Sequence, residues 1–205
     1  MEFKKYKIEE IGEVVSGGTP STKINDYWNG NISWITPKDL SNHEEVFISK
    51  GERNISEKGL NESSAKILPK NSVLMTSRAP IGYIAIANNQ VSTNQGFKSL
   101  ICNENICHYL YFYYWLKSNV KNIKNNSSGS TFQEISGSSF KNLDIKLPNM
   151  ENQLKISTFL FGIDKKIEIN KKINNNLLNI IIKICLLKDL LNKNLLNVII
   201  KLSIN

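Results

Sequence analysis

The last quarter of the chain most narrows the folds open to it. Apolar residues recur there as Ile156, Leu160, Ile163 and Ile167, in steps of four, three and four. The pattern continues in threes and fours through Ile173, Leu177, Ile180, Ile184, Leu187, Leu191, Leu195 and Val198. Such steps keep side chains on one face of an α-helix, so the spacing predicts a long helix with a nearly heptad apolar seam. Asn170 to Asn176 interrupt the seam with polar residues. Two readings are open: asparagine that fixes register at some cost in stability, or a bend or wetted patch.

The first two-thirds is punctuated differently. Four short polar segments carry glycine: Ser16-Gly17-Gly18-Thr19-Pro20-Ser21, Ser77-Arg78-Ala79-Pro80-Ile81-Gly82, Thr93-Asn94-Gln95-Gly96-Phe97 and Ser128-Gly129-Ser130-Thr131-Phe132. Glycine permits backbone shapes and close approaches that other residues avoid. Ser, Thr, Asn, Gln and Arg supply donors and acceptors suited to phosphates and base edges. Apolar runs between these segments read as strands at 32–35, 46–48, 73–76, 83–87, 97–102 and 144–147. Residues 3–15 read as a short strand or helical turn ended by Gly17-Gly18. Residues 55–60 read as a helical turn closed by Gly59, and 104–117 as a helix whose aromatics pack on a sheet. The expected fold class is α+β: a mixed α/β recognition domain over 1–149, then a helix over 150–205 that forms a coiled-coil-type dimer seam and serves as spacer.

A chain of 205 residues accommodates one globular domain with an appendage. Its formal charge of +8 is compatible with a nucleic-acid partner. The first 150 residues carry only +3 of it and 151–205 carry +5, where lysine can simply solvate a helix face. Charge alone therefore does not identify DNA as the partner. Three cysteines without disulfide-type spacing suit a reducing cytoplasm. The N-terminus lacks the apolar core of a signal peptide, and no run reaches the ~18 apolar residues of a membrane span.

The candidate DNA-contacting residues are Thr19, Ser21, Lys38, Ser77, Arg78, Thr93, Asn94, Gln95, Ser130 and Thr131. Arg78 is one of only two arginines; it can grip guanine or a phosphate, or cap backbone carbonyls structurally. Asn94 and Gln95 can pair with adenine edges or stabilise their own turn. Gly129-Ser130-Thr131 can hold a phosphate or be a plain loop. Gly17 to Lys23 lacks the Gly-Lys-Ser/Thr ending of a nucleotide-binding loop. Cys102, Cys107 and His108 lack the second half of a metal site, and a structural role is expected for them. No catalytic triad or paired-carboxylate motif stands out, and no metal ligands or catalytic residues are assigned.

Taken in order, eight pieces of the chain resemble the specificity (S) subunit of type I restriction–modification systems. They are Ser16 to Ser21; Tyr27-Trp28-Asn29-Gly30 with Ile32-Ser33-Trp34; Gly59-Leu60 with Ser63-Ser64-Ala65-Lys66; and Leu68-Pro69. Then follow Ser77-Arg78 with Ile81-Gly82; Thr93 to Phe97; Gly129 to Phe132 with Glu134-Ile135-Ser136; and Leu147-Pro148. The resemblance covers residues 5–175. It implies a non-catalytic protein that reads one half-site of a bipartite double-stranded DNA target and positions methyltransferase (M) and restriction (R) subunits. It implies that S-adenosylmethionine, ATP and magnesium belong to those partners, with none bound by this chain. Such proteins usually hold two recognition units whose helices pack antiparallel. With one unit, this chain is expected to be a half-subunit that pairs with itself or another half-subunit through Leu160, Ile163, Ile167, Leu177, Ile184 and Leu191. Beyond about Leu178 the family's aromatic and acidic pattern gives way to Ile, Leu, Asn and Lys, as in a divergent helix or an altered gene end. The competing readings are a coiled-coil assembly module whose head binds protein, the specificity component of a type II-like restriction system, and an inactive recombination cassette.

Overall fold

The computed structural model describes residues 2–128 and 133–203, with side chains described as far as Ile184. Two compact units are present, Met1–Leu160 and Phe161–Asn205. The first unit reaches Leu160 and so takes in the first residues of the helix that begins at Met150.

Among the described residues, three sheets build the head. Strands β2 (Gly12–Ser16), β4 (Phe47–Ile48), β6 (Val73–Met75), β7 (Ile84–Ala87) and β9 (Lys98–Cys102) form a five-stranded sheet in the order β2-β9-β6-β7-β4. Strands β3 (Trp28–Ile35), β5 (Arg53–Ile55) and β8 (Ser92–Thr93) form a second, ordered β5-β3-β8. The third pairs β1 (Lys4–Lys7) with β10 (Asp144–Leu147), with Lys5 opposite Lys146 and Tyr6 opposite Ile145. Asp144 accepts ion pairs from Lys5 and Lys7 at 2.7 and 2.6 Å, which hold its carboxyl below the usual range. The alternation Asp144 out, Ile145 in, Lys146 out, Leu147 in is that of a strand with one wet face.

The single N-terminal element expected over 3–15 is thus two strands in different sheets, separated by a 3-10 turn at Ile8–Glu10. Gly59 does not close a helical turn. It lies inside the short helix α2 (Glu57–Asn61), which follows α1 (Pro37–Ser41), and a Cβ there would stand 2.4 Å from the Tyr27 carbonyl oxygen. The helix expected over 104–117 is α3, Tyr109–Asn125. Its start is delayed because Asn103 forms a turn, its side chain accepting from Asn105 N–H and its carbonyl from the N–H groups of Ile106 and Cys107. Phe112, Tyr113 and Leu116 are buried, as expected of aromatics packed on the sheet.

One core cluster lies around the five-stranded sheet, with Val15, Ile35, Leu74, Ala85 and Phe97 among its members. A second gathers Tyr27, Trp28, Trp34, Ile55 and Ala65. After the short helix α4 (Gly137–Lys141) and β10, helix α5 runs from Met150 to Ser203. Its start is pinned to the head by Gln153, which is buried. The Gln153 side chain accepts from His108 N–H at 2.9 Å and donates to the carbonyls of Ile106 and Pro148 at 2.9 Å each. The helix passes unbroken through Asn170 to Asn176, all of them exposed. Among the described residues, no helix is long and apolar enough to cross a membrane.

The loop after β6 folds back on Thr76, whose hydroxyl donates to Pro80 O and accepts from Tyr83 N–H, at 2.7 and 2.9 Å. Gly82 closes it at φ 98°, and a Cβ there would stand 2.5 Å from a Val120 methyl. Gly82→Ala is expected to cost more than ~1 kcal/mol, because φ strain and a clash act together. A urea denaturation midpoint equal to wild type would contradict this.

Candidate nucleic-acid interface

Three of the four polar segments, 16–21, 77–82 and 93–97, far apart in sequence, are tied to one another by backbone geometry. Gly18 N–H donates to Thr93 O at 2.9 Å. Gly17 lies so close that an added Cβ would sit 2.2 Å from Asn94 O. A glycine pair is therefore what lets the first segment dock on the third, and Trp34 Nε1 holds Gly18 O from the other side at 3.0 Å. The second segment joins the third through Ser77 N–H to Gly96 O, at 2.7 Å. It joins the stretch after the fourth through Ile135 N–H to Ser77 O, at 3.0 Å, and through a β-bridge between Arg78 and Glu134.

This docking sorts the candidate residues. Thr19 and Gln95 are exposed and hydrogen-bonded to each other through the Thr19 hydroxyl and the Gln95 side-chain oxygen. Ser21 is exposed, and its carbonyl accepts from Trp28 Nε1 at 3.0 Å. Lys38 is exposed and pairs with Glu52 at 2.7 Å, which raises its pKa. Asn94 is half-buried and its side-chain oxygen accepts from Gly96 N–H at 2.9 Å, so it does stabilise its own turn. Arg78 is partly exposed.

Ser77 and Thr93 stand apart from the exposed candidates. Both are fully buried, and their hydroxyls have no partner among the described residues, so neither presents a side chain to DNA in this conformation. The reason is position: Ser77 follows the buried run of β6 into a contact with Gly96, and Thr93 lies opposite Ile35 in the second sheet. Ser130 and Thr131 lie outside the described residues.

Two charged residues that sequence reasoning passed over belong to the same cluster. Glu134 Oε2 lies 3.4 Å from Arg78 Nη1, and its Oε1 lies 3.9 Å from Lys98 Nζ. The Lys98 side chain is only 9% exposed, and Nζ otherwise contacts Phe97 O at 3.4 Å. Burial pushes the Lys98 amine down from the ordinary lysine value; Glu134 opposes this and Arg78 adds to it. The available signal was a lysine opening an otherwise uncharged strand, Lys98–Cys102. Elsewhere, Cys102 and Cys107 are free thiols in hydrogen-bond contact, and that contact, followed by burial, raises the Cys102 thiol pKa.

Residues 1–179 match the family model described as the type I restriction modification DNA specificity domain. The chain belongs to this family. It is 51% identical over 173 residues to the type I restriction enzyme MjaIX specificity subunit of Methanocaldococcus jannaschii, covering 84% of this chain and 40% of that protein. It is 30% identical over 176 residues to the EcoR124I/EcoR124II specificity subunit of Escherichia coli, covering 80% of this chain and 43% of the relative. The specificity-domain chain thus spans about two-fifths of the length of these relatives. The fold is shared with a chain from a structure on complex assembly and conformational transition of the type I R-M system, at a TM-score of 0.66 and 20% identity over 83% of this chain and 40% of that one. It is also shared with the HsdS subunit from Thermoanaerobacter tengcongensis, at a TM-score of 0.64 and 17% identity over 83% of this chain and 39% of that one.

Within this specificity-domain fold the expected seam divides. Leu160 is half-buried and lines an apolar groove with Tyr111, Tyr114, Trp115 and Ile156, so it belongs to the head. Ile163, Ile167, Leu177 and Ile184 are exposed large apolar side chains of the second unit. The Leu191 side chain lies outside the described residues.

Proposed function

We propose that this chain is the DNA-reading part of a type I restriction–modification specificity subunit. Its head binds one half-site of a bipartite double-stranded target. The observation that supports this most directly is the convergence, within a specificity-domain match, of segments 16–21, 77–82 and 93–97. That convergence gathers Thr19, Arg78, Asn94 and Gln95 from distant parts of the sequence. These side chains combine a guanidinium, two amides and a hydroxyl, the groups that read base edges and clamp phosphates. Lys38 and Ser21 flank them as backbone contacts, and Ser130 and Thr131 add to the fourth segment.

The chain itself carries out no chemistry in this reading. Methyltransferase and restriction subunits supply it, with S-adenosylmethionine, ATP and magnesium bound on those partners. Helix α5 pairs with a second copy or another half-subunit, and the assembly works in the cytoplasm. Arg78→Ala and Gln95→Ala test the reading. Each should weaken binding to the methylated-site sequence by about 1–3 kcal/mol and relax specificity at one position. Binding of both variants equal to wild type, with the fold intact, would remove these loops from the interface.

A further inference from the structure

We propose that Glu134 and Lys98 form a positioning pair that governs how readily Arg78 reaches DNA. Glu134 holds Arg78 in the free protein, and Lys98 takes over Glu134 when Arg78 moves to the nucleic acid. The inference rests on the reading of Arg78 as a DNA contact.

The geometry that carries it is one carboxylate shared by two cations, with a long hydrogen bond to Arg78 and a still longer contact to Lys98. The contacts of Glu134 with Arg78 and Lys98, 3.4 and 3.9 Å, exceed the ~2.7–2.9 Å of a formed charge-assisted hydrogen bond. Elsewhere on this head the lysine pairs Lys5–Asp144 and Lys38–Glu52 both close to 2.7 Å, while the solvent-exposed Lys58–Asp26 pair stays at 3.3 Å. Glu134 is thus placed between two partners.

The partners differ in freedom. The Arg78 backbone is held by its bridge to Glu134, but its side chain is 40% exposed and can swing outward. Lys98 is anchored in β9 with its side chain 9% exposed, so it cannot itself contact a duplex in this conformation. A buried ammonium with no close anion is costly, which gives Lys98 a standing demand for the carboxylate. A shift of about 1 Å brings the two within hydrogen-bond range. When Arg78 leaves for a phosphate or base, Glu134 therefore remains neutralised and does not repel the incoming anion. Without Lys98, departure of Arg78 would leave a bare carboxylate beside DNA, and Glu134 would hold the arginine back.

The test uses the full chain and a duplex of mixed sequence, with binding measured at several salt concentrations. Lys98→Met should weaken binding by about tenfold, although residue 98 cannot reach DNA. Glu134→Gln should tighten it several-fold, and Lys98→Met should then have no further effect in the Glu134→Gln background. A merely structural role for Lys98 would instead weaken binding equally in both backgrounds, which overturns the proposal. A second cycle does not depend on how Lys98→Met folds: the tightening by Glu134→Gln must vanish when Arg78 is Gln. Persistence of that gain without Arg78, or no gain at all, also overturns it. Wild-type protein that shows no salt-dependent binding overturns the DNA reading itself, a result distinct from wild type that binds while Glu134→Gln is unchanged.

Discussion

Replacing Ile163, Ile167 and Leu177 together by glutamine is expected to leave the chain monomeric at micromolar concentration, where the wild type is expected to dimerise. All three are exposed in the single chain and lie on one helical seam of α5. Full burial of such a side chain contributes ~1.5–3 kcal/mol, and these are already about half covered, so each stands to gain roughly half of that. In a two-fold pair the triple variant removes six such gains, roughly 5–9 kcal/mol. That is comparable with the whole ~8 kcal/mol of a micromolar complex. An isologous antiparallel pairing is the arrangement favoured for two identical copies. Two identical heads would then read identical half-sites, and the target would be a bipartite palindrome. Light scattering reads the first consequence: a wild-type monomer, or a triple variant that still dimerises, would rule out this seam. Methylome mapping reads the second, and a non-palindromic target would assign the other half-site to a different half-subunit.

The second large effect is on the head. Phe97→Ala should destabilise it by about 3–5 kcal/mol, a sizeable share of the ~5–15 kcal/mol typical of a domain. Phe97 is fully buried among residues that include Ile35, Leu74 and Ala85. It also stands between Gly96, which holds Ser77, and Lys98, which faces Glu134. The cavity left by the ring would therefore loosen the seat of three polar segments, and DNA binding should fall with stability. Urea unfolding monitored by circular dichroism measures the first effect. A loss under ~1 kcal/mol would mean that the site collapses around the smaller side chain at little cost.

Much of the fold is legible in the residues alone. The strands at 32–35, 73–76, 83–87 and 144–147 each contain or overlap an observed strand, because short apolar runs between turn residues carry their own period. The boundaries of α3 were less legible. Asn103 takes residues 103–107 into a turn through its own side chain and carbonyl, a local hydrogen-bond choice that composition does not display. Gly59 resembles a helix end in sequence because glycine often is one; in the fold it lets α2 approach the Tyr27 backbone.

The candidate site divides along the same line. Local chemistry by itself determined which segments are polar, glycine-bearing loops and which stretch forms a long helix, since turn propensity and a repeat of threes and fours are written within a few residues. Only the tertiary structure decided which of those polar side chains face outward. Ser77 and Thr93 look no different in sequence from Thr19, yet backbone hydrogen bonds to Gly96 and Ile135 seat Ser77 in the core and pairing with Ile35 seats Thr93 there. Lys98 and Glu134 are 36 positions apart. Their meeting beside Arg78 depends on a β-bridge between residues 78 and 134 and on the seat of Lys98 in β9. Electrostatic interaction depends on distance through space and on burial, and neither is encoded at any single position of the chain.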